Sequence, residues 1–285
     1  MKKQIFKAIK LVHRFTGKLV NKSEQEYVSQ KNKMWDSKFD DAEKFIYNLS
    51  ADVKINLYKD SVLSKPIFNG FENDEIAFMK RTLQKGDIFI DIGSNIGLFA
   101  LEASPIVGKQ GHVIAFEPSP DTFGRLVENV ELNNFKNIEC RNKGVSDKKE
   151  MLEISISSSG YDAWNTFAPG DSDKFHKTVS VEVNSLDDEL KDIDKDRIKL
   201  IKIDVEGWEK FVLLGAEDLL RNYNPVFMME FTESNTFAAG YMVQELYDML
   251  VEKGYEWFKY KNGSLFPESK KLHYPYDNLI AIKKQ

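Results

Sequence analysis

Carboxylates at the ends of apolar runs are the residues whose type and spacing could do chemistry in this chain. Asp91 lies in GDIFIDIGSNIG, residues 86–97, just before a turn made of Gly93, Ser94, Asn95, Ile96 and Gly97. Glycines there let the backbone bend sharply and approach a ligand closely. The pattern is D-x-G-x-N-x-G, not the G-x-G-x-x-G that seats a pyrophosphate on a helix N-terminus. A negative charge before the turn suits a cationic or amine-bearing ligand better than a pyrophosphate. Glu117 follows Asp91 by 26 residues, in Phe116-Glu117-Pro118 at the end of the next apolar run. That separation suits an acid that grips ribose hydroxyls.

A second group of acids comes later. Asp204 and Glu206 stand in Asp204-Val205-Glu206-Gly207, and Glu230 lies near the end of PVFMMEF, residues 225–231. Three carboxylates at adjacent strand ends could act as a base, bind substrate hydroxyls or ligate a divalent cation. Oxygen-only ligands would favour Mg²⁺ or Ca²⁺ over zinc; the need for a metal stays open, and no residue is assigned to one. Glu206 could equally cap the following helix, whose N-terminus favours an acid. His176 titrates near neutrality and is a further candidate base. Tyr161, Trp164 and Asn165 share its loop. Aromatic faces with an amide would make an acceptor wall for a sugar, or the loop is simply packed by its own aromatics.

The elements that must position these groups follow an α/β rhythm. Short apolar runs over 87–92, 112–116, 138–142, 198–205 and 225–231 read as buried strands. Helical stretches over 72–83, 96–104, 120–132, 208–221 and 243–253 lie before, between and after them. Strands alternating with helices predict a parallel sheet covered on both faces. Two closing strands, 255–260 and 278–283, predict an antiparallel end to the sheet. Residues 150–185 break the rhythm. MLEISIS and TVSVEV alternate apolar and polar residues and flank a Gly-, Ser- and Asp-rich stretch. They read as an inserted hairpin with a long loop.

Composition narrows the setting. The 285 residues suit one large domain with a small appendage, read as residues 51–285 after a lead-in of residues 1–50. One cysteine, Cys140, makes neither an intrachain disulfide nor a cysteine-built zinc site, which fits a reducing, cytoplasmic location. No apolar run is long enough to span a bilayer. The first 22 residues hold seven of the 40 basic residues and no acid, leaving 33 bases against 45 acids in the rest. An acidic body repels phosphate backbones, so nucleic acid is not an expected partner. On a helix, residues 5–20 gather their apolar side chains on one side and their bases on the other. Such a segment can lie at the inner membrane surface, or pack on the protein's own body or a second subunit.

An amine, a sulfonium and a ribose belong to S-adenosylmethionine, and here the sequence resembles a known family. FENDE (71–75), GDIFIDIGSNIG, AFEPSP (115–120), GVSD (144–147), SLDDEL (185–190) and IKIDVEGWEKFVLLG (201–215) resemble the FkbM type of class I, Rossmann-like methyltransferase. The likeness covers about residues 68–285. It implies a seven-stranded, mostly parallel sheet with an antiparallel last strand, and methyl transfer to hydroxyl groups, often on sugars or other secondary metabolites. It also implies that Asp91, Gly93, Ser94, Asn95 and Gly97 wrap the methionine part of the cofactor. Glu72 would meet its α-amino group, and Glu117, with Pro118 and Ser119 beside it, the ribose. Val145 and Ser146 would flank the adenine, and Asp204 would face the transferred methyl. The acceptor is a saccharide, a glycan or another small hydroxylated metabolite. A nucleotide-sugar oxidoreductase is disfavoured by the absent G-x-G-x-x-G and Tyr-x-x-x-Lys. A module that keeps the cofactor fold only to bind a partner is left for a turnover assay to exclude.

Overall fold

The computed structural model describes residues 29–157, 165–168 and 175–284, except the side chains of Phe175 and His176. The basic segment 1–22, Tyr161 and Trp164 lie outside the described residues. The chain divides into two units between Phe45 and Ile46. In the first, residues 29–36 are helical, and Trp35, Phe39 and Phe45 pack edge to face with centroids 4.8–5.6 Å apart.

The second unit holds the sheet. Its strands are β1 (Lys44–Ser50, which the division cuts), β2 (Val53–Tyr58), β3 (Ile88–Ile92), β4 (His112–Phe116), β5 (Ile138–Arg141), β6 (Gly144–Ser146), β7 (Glu150–Ser157), β8 (Phe175–Ser185), β9 (Ile198–Ile203), β10 (Val226–Phe231), β11 (Tyr255–Lys261), β12 (Ser264–Pro267) and β13 (Asp277–Lys283). The main sheet runs β12-β11-β13-β10-β9-β3-β4-β5. From β10 to β5 all neighbours are parallel, while β13 is antiparallel to both β10 and β11. The expected reversed strand is therefore present. The sheet has eight strands rather than seven. The extra strand, β12, is fully exposed and pairs along β11, so no apolar pattern announces it.

Every residue of β3 is buried, as a sheet covered on both faces requires. After β3 the chain crosses to β4 on one side, and later to β9 on the other. The reversal opens a crevice at the carboxyl ends of these strands, where ligands of open α/β sheets bind. The apolar runs form the core here, with Phe89, Ile90, Ile114 and Ile201 fully buried.

The expected helix over 208–221 is two helices, Glu209–Leu214 and Glu217–Asn222. The break falls at Gly215, where a Cβ would lie 2.0 Å from the Ser146 carbonyl oxygen. Close approach to the inserted sheet stops the helix there. That insertion is the expected hairpin: β7 pairs antiparallel with β8, and β6 pairs parallel with β8 on its other side. Among the described residues, no helix is long and apolar enough to cross a membrane.

Candidate active site

The turn after β3 is built by backbone contacts. Gly93 has φ +82°, and a Cβ there would lie 1.9 Å from the Asp204 carbonyl oxygen. Only glycine lets the end of β3 pass so close to the end of β9. The Gly93 and Ser94 N–H groups donate to the Phe116 carbonyl at 3.0 and 2.9 Å, tying the turn to β4. Glu117 then acts as a clamp: its carboxylate accepts the N–H of Asn95 at 3.0 Å and of Ser119 at 2.9 Å.

Asp91 differs from Glu117. It is 1% exposed, and neither carboxylate oxygen has a hydrogen-bond partner among the described residues. Burial pushes its carboxyl up to about 6, against the pull of the Lys202 ammonium. Lys202 is its cross-strand neighbour on β9. Glu72, which precedes helix Asn73–Thr82 with φ +53°, is pushed up to about 7 by burial. Its Oε1 accepts Asn278 Nδ2 at 3.2 Å, from β13.

Past β9 the acids crowd together. Carboxylate oxygens of Asp204, Glu206 and Glu230 all lie within 4.8 Å of one another. Lys202 Nζ donates to Asp204 Oδ2 at 2.8 Å. Glu206 Oε2 accepts Asn235 Nδ2 at 2.6 Å, and Glu230 Oε1 accepts Thr232 Oγ1 at 3.0 Å. Burial first, then the neighbouring Asp204, holds Glu206 and Glu230 well above the usual carboxylate range. Such a trio could bind a divalent cation or share protons. Glu206 does not cap the next helix, which has no side-chain cap. Glu209 instead organises the loop. Its Oε1 accepts Val205 N at 3.1 Å and Gly207 N at 3.2 Å, and its Oε2 accepts Tyr241 Oη at 3.2 Å.

One cavity of about 910 Å³ joins these groups. Glu72, Gly93, Ser94, Asn95, Glu117, Pro118 and Val145 line it together with Asn165, Asp204, Glu206 and Glu230. Gly97, Ser119 and Ser146 stand outside its wall. Gly97 packs under Leu126, and Ser146 Oγ accepts Trp208 Nε1 at 3.2 Å. Asp91 is buried behind the wall. The strand part of His176 falls on β8.

Sequence reasoning missed Lys202, Asn235, Thr232 and Asn278. Lys202 had a readable signal. Lys199 and Lys202 are three apart in one strand, so they face opposite sides of a sheet covered on both. The other three reach the site only through folding.

An open parallel sheet closed by a reversed strand, with acids at the ends of β3, β4, β9 and β10 around one cavity, defines the class I methyltransferase fold. Residues 91–257, more than half of the chain, match the model of the methyltransferase FkbM domain. The hexuronic acid methyltransferase AglP of Haloferax volcanii is 30% identical over 162 residues, 55% of this chain and 61% of that protein. The 2-O-methyltransferase NoeI of Sinorhizobium fredii is 25% identical over 182 residues, 59% of this chain and 73% of that one. A crystal structure of an FkbM methyltransferase from Methylobacillus flagellatus aligns over 77% of this chain and 54% of that one, with a TM-score of 0.44 and 13% identity. The chain belongs to the FkbM methyltransferase family and spans about three fifths of the length of the first curated relatives it matches.

Proposed function

We propose that this methyltransferase moves the methyl group to a hydroxyl oxygen of a saccharide. The observation that carries this is the convergence of Asp204, Glu206 and Glu230 in the cavity that also contains the glycine turn and Glu117. A sugar hydroxyl is a poor nucleophile unless a base takes its proton during attack, a contribution of about 10²–10⁴ in rate. The printed names of AglP and NoeI support a sugar acceptor and transfer to oxygen.

The residues present fit the cofactor. Asp91, buried without a hydrogen-bond partner among the described residues, and Glu72 supply the negative charge that a cation balances. Glu117 suits a ribose diol, and a cavity near 900 Å³ is large enough for both ligands. When bound, S-adenosylmethionine supplies a methyl carbon on a sulfonium sulfur that leaves with the bonding electron pair as a thioether. Asp204 then has the base's task. Its Oδ2 is held by Lys202, leaving Oδ1 to take the hydroxyl proton as the acceptor oxygen bonds to the methyl carbon. Its side chain is 28% exposed, so an acceptor can reach it. Glu206 and Glu230, whose carboxyls burial and Asp204 push toward the protonated form, donate hydrogen bonds to neighbouring acceptor oxygens.

The test is turnover with methyl-labelled S-adenosylmethionine against a panel of uronic acids, neutral sugars and non-sugar alcohols. Nuclear magnetic resonance of the product would locate the methyl. An O-methyl sugar supports the reading; transfer confined to non-sugar alcohols, or to nitrogen or carbon, rejects it.

A further inference from the structure

Lys202 is the last residue but one of the apolar strand β9, is 6% exposed, and is part of the cavity wall. A buried ammonium is costly unless it is paired. Its surroundings are specific. Asp91 lies opposite it on β3, the Phe99 ring lies 4.8 Å from its Nζ, and Asp204 Oδ2 accepts its hydrogen bond at 2.8 Å. The three crowded acids therefore have unlike partners. Glu206 is held by an amide and Glu230 by a hydroxyl, both neutral. Asp204 is held by a cation.

We propose that Lys202 is a positioning residue for methyl transfer: it selects Asp204 among the three crowded carboxylates and holds that one, by its Oδ2, as the oriented anion that takes the acceptor's proton. The proposal rests on the reading of Asp204 as the base. Lys202 touches neither the acceptor nor the transferred methyl in this role, and acts only through Asp204. A bidentate contact from Lys202 to the cofactor's own carboxylate is the competing use of the same ammonium. The two uses separate in measurement, because one sets turnover and the other sets cofactor affinity.

The experiment compares wild type with Lys202→Met, Lys202→Ala and Asp204→Asn. Calorimetric binding of S-adenosylmethionine is measured beside steady-state transfer to the best acceptor from the panel. Lys202→Met replaces the ammonium by an apolar chain of similar length but strips Asp91 and Asp204 of their cation, so a thermal melt of each variant accompanies the kinetics. The expected result is a fall in kcat of at least 30-fold with the cofactor Kd within threefold of wild type. In Lys202→Ala, ethylammonium added to the assay should restore at least tenfold of the lost kcat, and ethanol should not. A purely structural lysine would be rescued by both fillers or by neither.

Four outcomes overturn the proposal. Full kcat in Lys202→Met beside an inactive Asp204→Asn leaves the base in place and removes the positioning role. Cofactor binding weakened more than tenfold in Lys202→Met, with kcat at saturation unchanged, makes Lys202 a cofactor ligand. Rescue of Lys202→Ala by ethanol as well as by ethylammonium, or by neither, makes the lysine purely structural. Wild-type kcat in Asp204→Asn removes the base itself and so rejects the reading beneath. If Lys202→Met does not fold, the rescue of Lys202→Ala decides the matter alone.

Discussion

The ends of β3 and β4 and the ends of β9 and β10 meet in one cavity but hold their acids by different means. At the first, Glu117 is gripped by the backbone N–H groups of Asn95, in the glycine turn, and of Ser119, two residues further along its own segment. At the second, Asp204, Glu206 and Glu230 are held by the side chains of Lys202, Asn235 and Thr232. Backbone donors fix an acid in one place and favour its charged form. Side-chain partners leave it able to exchange protons as a substrate arrives. The first arrangement suits holding a cofactor, the second suits chemistry on an acceptor. Asp91 tests the division, since it belongs to β3 by sequence but faces Lys202 of β9 without a hydrogen-bond partner among the described residues.

The largest effect should fall on the β9 side. Asp204→Asn should lower kcat by about 10²–10⁴, with the cofactor Kd little changed, read from labelled-methyl transfer beside calorimetry. A variant that lost cofactor binding and turnover together would merge the two regions into one. On the β3 side the expected loss is of fold. Gly93→Ala would set a Cβ 1.9 Å from the Asp204 carbonyl at φ +82°, and should cost about 3 kcal/mol. Gly254 has φ +88° with nothing within 4 Å of its Cβ position, so Gly254→Ala should cost only about 1 kcal/mol. Urea melts of the two variants separate collision from backbone strain.

This difference also governs how much could be read before folding. The glycine turn, Asp91, Glu117 and the DVEG run were legible because each acts through its own strand end or the backbone beside it. The parallel order and the reversed strand followed from the alternation of apolar runs and helices. Partners from afar were not legible: Asn278 reaches Glu72 across 206 positions, and Asn235 reaches Glu206 across 29. Nothing in a single sequence pairs such residues. The break at Gly215 was hidden for the same reason, since the carbonyl it meets belongs to Ser146. The edge strand β12 was hidden because its residues are exposed and carry no burial pattern.

Asp91→Asn should weaken S-adenosylmethionine binding about tenfold while stabilising the protein without ligand by about 3 kcal/mol at pH 8. The sign follows from its carboxyl, pushed up to about 6 from an ordinary 3.8. Between about pH 4 and 6 the folded wild type holds a proton that the unfolded chain releases, so this group adds stability as pH falls through 6. The advantage of Asp91→Asn should therefore be full at pH 8 and nearly gone at about pH 3.5, below both values. An advantage that does not change with pH would mean that the Asp91 carboxyl titrates alike in the folded and unfolded chain and acts by shape alone.

The smallest expected effect probes the loop between the regions. Tyr241→Phe removes one donor from Glu209, whose other oxygen keeps the N–H groups of Val205 and Gly207. The loss should be about 1 kcal/mol of stability. If backbone donors alone suffice to seat an acid, as they do at Glu117, the loop over 204–207 stays in place and kcat changes less than twofold. A fall in kcat beyond tenfold at unchanged cofactor Kd would mean that Tyr241 helps hold the Asp204 loop. The β9 side would then depend on side-chain partners even where the backbone also serves.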